Sequence, residues 1–138
     1  MIEPKEAEPR VERGQAVRRA VLGDDYVDSV SEPRTEARAA LQELVAGAAW
    51  GTVWARNDKL SRRDRSLINV ALLAALNRPH ELGLHVSGAL NNGLSPAEIE
   101  EALLHIGPYA GLPAAIDGFR VAGPILDEHE SGQQAGEA

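Results

Sequence analysis

Residues 61–76 read SRRDRSLINVALLAAL, and this stretch decides the fold. Ser61 with an acid three residues on, Asp64, is a variant of the capping box and predicts a helix from Arg62. From Leu67 onward that helix is apolar nearly all round. A helix without a polar face is buried on all sides. In a chain of 138 residues this predicts burial partly by other subunits. Asn77-Arg78-Pro79 closes the helix, and Pro79 suits the first position of the next one. That helix runs to about Asn92, with Gly93 as its stop. Ser95-Pro96-Ala97-Glu98 then repeats the start signal, with Ser as cap, Pro at the first position and Glu at the third. Leu103, Leu104 and Ile106 follow at core-like spacing, and His105 among them reads as a core histidine. Gly107, Pro108, Gly111 and Pro113 predict a break around Tyr109. A last helix is expected from Pro113 to Leu126.

Upstream, Val17, Ala20 and Val21 sit at helical spacing in a short helix that Gly23 ends. A second helix is expected from Pro33 to Trp54, with Leu41, Leu44, Val45, Ala48 and Ala49 as its apolar stripe. Gly47 and Gly51 either weaken it or let another backbone approach. Strand-length alternation of β-branched residues is missing throughout. The expected class is all-α, with about six helices. Residues 1–10 and 127–138 carry too little apolar surface to order themselves and are expected to be disordered tails. One folded domain over 11–126 remains.

Composition narrows the functions. The chain has no cysteine, which excludes disulfides, thiolate metal sites and thiol nucleophiles. A net charge of −7 disfavours nucleic acid and anionic membranes as general partners. No apolar run reaches bilayer length, and Met1 to Arg13 lacks the apolar core of a secretory signal. A cytoplasmic protein is expected.

Few residues can carry chemistry. His80 and His85 are five apart, about 140° around a helix, so they do not form the HExxH metal pair. Glu81 and His85 are four apart and share a face. They fit an acid–base pair in which Glu81 orients the imidazole or raises its pKa, or an ordinary surface contact. Arg62, Arg65 and Asn69 can line one face of the buried helix. They could clamp a carboxylate, or form salt bridges with Asp58, Asp64 or a neighbouring subunit. Trp50 and Trp54, also four apart, stack either as core or as the wall of a pocket. Tyr109 stands where the helix pattern breaks. Phosphate loops and nucleophile elbows are missing.

The run ELGLHVSGALNNGLSPAEIEE, within residues 61–115, resembles the carboxymuconolactone decarboxylase family. The stretches QAVRRAVLGDDYVDS and AAWGTVWAR resemble its stand-alone decarboxylase branch. The similarity covers about Val11 to Leu126. Peroxidase-type members carry Cys-x-x-Cys-x-x-x-His, where this chain has Arg78, Glu81 and His85, so that disulfide chemistry is closed to it. A departure falls at Ile116, where several relatives have Asn.

The resemblance implies an alkyl hydroperoxidase D-like helical domain that assembles into a trimer or hexamer. It implies decarboxylation of 4-carboxymuconolactone to the β-ketoadipate enol-lactone in protocatechuate catabolism, with no cofactor and no metal, because the lactone is itself the electron sink. On this reading Arg65, with Arg62, binds a substrate carboxylate. His85 donates to the enolate oxygen or protonates carbon, with Glu81 setting its orientation and charge. His80 and Tyr109 are further pocket donors, and Trp50 and Trp54 form an apolar wall. Two other expectations stay open: a related enzyme acting on another lactone or β-keto acid, and a non-catalytic helical oligomer that binds a small acidic ligand.

Overall fold

The computed structural model describes residues 4–137, with side chains from Pro9 onward. The other residues of the two expected tails, Met1 to Glu3 and Ala138, lie outside the described residues. Among the described residues every regular element is helical, and the chain divides into two compact units, one up to Arg62 and one from Arg63.

The first unit holds α1 (Pro4–Leu22), α2 (Asp24–Ser29) and α3 (Glu36–Leu44), and α3 continues as a π-helical segment, Val45–Trp54. Thr35 caps α3 by accepting from the Arg38 N–H. The helix therefore starts at Glu36 and not at Pro33. The widening to π geometry is tied to glycine. A Cβ on Gly14 of α1 would lie 1.8 Å from the Ala46 carbonyl oxygen, and one on Gly51 would lie 2.1 Å from that of Arg10. The two backbones thus approach as closely as only glycine allows. Arg13 donates to the Gly51 carbonyl from Nε at 3.0 Å and from Nη2 at 2.8 Å. Val17, Val21, Trp50 and Trp54 form the core of this unit.

The short α2 lies where the sequence reading placed only the residues after Gly23. Gly23, at φ 90°, ends α1 as expected. Asp24 and Asp25 then suit the positive end of a new helix, and Arg19 holds Asp24 at 3.1 Å and Asp28 at 2.8 Å. The described part of the N-terminal stretch read as a tail is helical, since α1 begins at Pro4.

The second unit is α4 (Arg62–Ala75, entered from Arg63), α5 (Pro79–Asn91), α6 (Pro96–Ala110) and α7 (Leu112–Glu137). Val70 and Ala74 of α4, Leu82, Val86 and Ala89 of α5, Ile99, Leu103 and Ile106 of α6, and Ala122 and Leu126 of α7 share one core. Gly93 (φ 95°) stops α5 and Gly111 (φ 107°) stops α6. Ser95 and Glu98 form the full reciprocal capping box. Two expectations are corrected. The break expected around Tyr109 falls two residues later, at Gly111, because α6 runs through Pro108 to Ala110. Proline deletes one helical bond, and the Gly111 N–H donating to the Gly107 carbonyl at 2.9 Å carries the turn across it. The last helix does not stop at Leu126 but continues to Glu137 over an exposed stretch rich in Glu and Gln, which keep most of their rotamer freedom in a helix.

The α4 helix is less enclosed than its composition suggests. Val70 and Ala74 are buried, but Ile68, Leu72 and Leu76, each one turn on from the last, are about half exposed.

Candidate active site

In the second unit two side-chain bonds tie α4 to α5. Asn92 donates from Nδ2 to Ser66 Oγ at 2.8 Å, and Asn69 Nδ2 lies 3.3 Å from His85 Nδ1. Later residues on α4 meet earlier ones on α5, so the two helices run antiparallel. Ser66 is fully buried and His85 is 7% exposed. Both sit at positions that would hold apolar residues in a plain core.

His85 is the one sequence-nominated group the fold buries in this unit. Burial pushes its imidazole down to about 4 from the ordinary 6.5, because the charged ring would lose its hydration. This corrects the expectation that Glu81 raises it. Glu81 does lie one turn before His85 on α5, but it is exposed, so its field is screened by water. At neutral pH His85 is uncharged.

Arg65 lies one turn before Asn69 on α4 and shares its face. It is half-buried, so its guanidinium is partly removed from water. Arg62 opens α4, its backbone N–H donating to Asn57 Oδ1 at 3.1 Å. Arg63, which the carboxylate-clamp reading left out, pairs with Glu98 of α6 and holds that carboxyl below its ordinary range. This cation at a helix N-terminus is thus compensated from within its own unit.

Within the second unit, His80 and Tyr109 are not buried with His85. His80 is exposed at the start of α5. Tyr109 is 82% exposed on the last turn of α6, with its ring 5.3 Å from that of His105. His105 is itself exposed and is no core histidine. Trp50 and Trp54 stack at 4.9 Å and 28° inside the first unit, buried with Val17 and Val21. A groove of about 700 Å³ in the second unit lies along Leu67 and Ala71 of α4 and Glu101 and His105 of α6. Its lining includes none of Arg65, Asn69, Glu81 and His85.

The residue the sequence reading underused is Asn69. It was placed on the arginine face but not against His85. The signal was available: Asn69 is the only polar residue in LINVALLAAL, and a polar group amid such a run needs a partner.

Together, the helical fold and the α4–α5 contact define an all-α protein with a buried, neutral imidazole held against Asn69. Residues 39–123 match the model of the carboxymuconolactone decarboxylase family. The chain is 39% identical over 117 residues, 85% of its length and 81% of the relative's, to a nitrosuccinic acid decarboxylase of Metarhizium robertsii. It is 36% identical over 121 residues, 88% of its length and 90% of the relative's, to a 4-carboxymuconolactone decarboxylase of Acinetobacter baylyi. The chain belongs to the carboxymuconolactone decarboxylase family.

Proposed function

We propose that this chain is a cofactor-independent carboxy-lyase, acting on a small dicarboxylate whose departing carboxylate is conjugated to an electron sink. 4-Carboxymuconolactone is the first candidate, as a step of protocatechuate catabolism. The observation that carries this is the α4–α5 contact: Asn69, on the Arg65 face of α4, touches the buried neutral His85.

The chemistry follows from the substrate and these groups. When the C–CO₂ bond breaks, its electron pair passes through the ring double bond onto the lactone carbonyl oxygen and forms a dienolate. Arg65 binds a carboxylate through a bidentate fork, with Arg62 beside it in sequence as a second cation. The His85 Nε2–H donates to the developing oxyanion. Being neutral, His85 suits that role better than delivering a proton to carbon. Glu81, in contact with solvent, is the group that relays a proton from water to the ring carbon. Donors aimed at a developing oxyanion contribute about 3–4 kcal/mol each. His80, Tyr109, Trp50 and Trp54 keep only auxiliary roles in this reading.

A second reading is favoured by the identity to the nitrosuccinic acid decarboxylase. Nitrosuccinate is also a dicarboxylate, and loss of the carboxylate beside its nitro group would place the electron pair on that group as a nitronate. Arg65 and His85 could serve both substrates, with an oxygen of the nitro group in place of the lactone oxygen.

The exposed stripe Ile68, Leu72 and Leu76 supports self-association, and a trimer or hexamer in the cytoplasm belongs to the same proposal. No helix among the described residues is long and apolar enough to cross a membrane.

The deciding experiment supplies carboxymuconolactone, made in situ from its muconate precursor by a cycloisomerase, and in parallel nitrosuccinate, and follows CO₂ release. Turnover of the lactone without added metal is the expected result. Turnover of nitrosuccinate alone moves the assignment to the second reading. A ligand-induced thermal shift with no CO₂ from either would leave a binding protein.

A further inference from the structure

Asn69 and Ser66 are neighbours on one face of α4, one turn apart, and both reach α5. Their partners differ in kind. Ser66 accepts from Asn92 at the C-terminal cap of α5, a tie between two groups that do not titrate. Asn69 reaches a ring nitrogen of His85, 3.3 Å away. Since Ser66 and Asn92 already bind the two helices together, Asn69 is not required for that purpose alone. What it adds is a choice between the two nitrogens of the ring. An imidazole with a donor at Nδ1 carries its proton on Nε2, and an imidazole with an acceptor there carries it on Nδ1.

We infer that Asn69 is a positioning residue that fixes His85 as the Nε2–H tautomer. The inference rests on the proposed decarboxylase reading for its catalytic consequence, but the tautomer itself can be read without turnover. Burial supports it, because a ring with little access to water cannot exchange tautomers through solvent as freely as an exposed one. Asn is also suited to this task in a way Asp is not. A carboxylate at the same place would accept from Nδ1–H and draw the proton to the wrong nitrogen, and its charge would favour the imidazolium.

The test is ¹⁵N NMR of the His85 ring in the full chain, with kcat and KM on whichever substrate turns over. The parent is expected to show Nε2–H. Asn69→Asp, of nearly the same shape, is expected to shift the proton to Nδ1 and raise the ring's titration. Asn69→Leu is expected to give mixed tautomers and to lower kcat by roughly 10–100-fold, the usual loss when an orienting partner is removed, with little change in KM. Ser66→Ala breaks the other tie and is expected to lose stability while keeping the parent tautomer. Combining Asn69→Leu with His85→Ala should cost no more activity than His85→Ala alone. An Nδ1–H ring in the parent, or an Nε2–H ring that persists in both Asn69 variants, would overturn the inference. If the parent turns over neither substrate, the decarboxylase reading falls and the tautomer measurement still decides the role of Asn69.

Discussion

Asn69 Nδ2 lies 3.3 Å from His85 Nδ1, joining the middle of α4 to the middle of α5. The contact puts a polar pair inside an apolar helix packing, where plain hydrophobic residues would be more stable. The chain retains a cost there, and such costs concentrate at sites of chemistry. The neutral state of His85 follows from the same burial, so the structure links what the site can do to what it costs to fold.

That cost has a pH dependence. In the unfolded chain His85 titrates near 6.5, and in the folded chain at about 4. Between these values the unfolded state binds more protons, so stability rises with pH across the window and is lost as pH falls through it. At 1.36 kcal/mol per pK unit the full gap is worth about 3 kcal/mol. Urea unfolding at steps from pH 7 to pH 4 should show this loss. In His85→Asn the part due to this ring should vanish, and an unchanged slope would remove burial of His85 from the account.

Activity should depend on the same ring in another way. His85→Ala is expected to lower kcat by ~10²–10³-fold, the loss typical of one oxyanion donor. A kcat within about threefold of the parent would exclude His85 from the reaction. Arg65→Met should raise KM, and lower kcat only if the bound carboxylate is the one that leaves. Steady-state kinetics on the active substrate separates these outcomes.

Much of the second unit was legible because its signals are local. Gly93, the Ser95–Glu98 box and Pro79 each act within a turn, and each marks the boundary it predicts. The pairing of Glu81 and His85 on one face also follows from spacing. Their electrostatics did not, because burial is a property of the packed fold: spacing suggested a raised histidine, and desolvation lowers it. The π-helical stretch was hidden for a similar reason. Gly47 and Gly51 announce a close approach, but only the arrival of α1, with Arg13 on the Gly51 carbonyl, shows what approaches. His105 was misread because Leu103 and Ile106 flank it on the core side, while its own direction from the axis is outward.

The start of α6 offers a local test. Ser95 accepts from the Glu98 N–H at 3.1 Å, and Glu98 accepts from the Ser95 N–H at 3.3 Å. Ser95→Ala is expected to cost about 1 kcal/mol in chemical denaturation, as for other N-caps. Glu98→Gln keeps a side-chain acceptor for the cap but gives up the charge that pairs with Arg63, so its effect on stability should be small and salt-dependent. A large loss in Glu98→Gln that salt does not change would mean that the Glu98 charge acts through the cap and not through the exposed ion pair.

The contact between α1 and the π-helical segment depends on the absence of two Cβ atoms, and glycine replacements can show it. In Gly14→Ala the new carbon would sit 1.8 Å from the Ala46 carbonyl oxygen, a backbone atom that cannot swing aside. The helices must then separate, which loosens the packing of Val17 and Val21 on Trp50 and Trp54. A loss of at least ~1–3 kcal/mol is expected, the usual range for overpacking. Gly123→Ala is the opposite case. This glycine lies inside α7, and a Cβ there meets nothing within 4 Å. Alanine removes backbone freedom from the unfolded chain without a clash, so a gain of roughly 0.5–1 kcal/mol is expected. Tryptophan fluorescence reports the first change directly, because Trp50 and Trp54 are the chain's two tryptophans and both lie in the affected core. If Gly14→Ala unfolds at the parent's denaturant midpoint with unchanged tryptophan emission, the close approach of α1 to this segment is wrong.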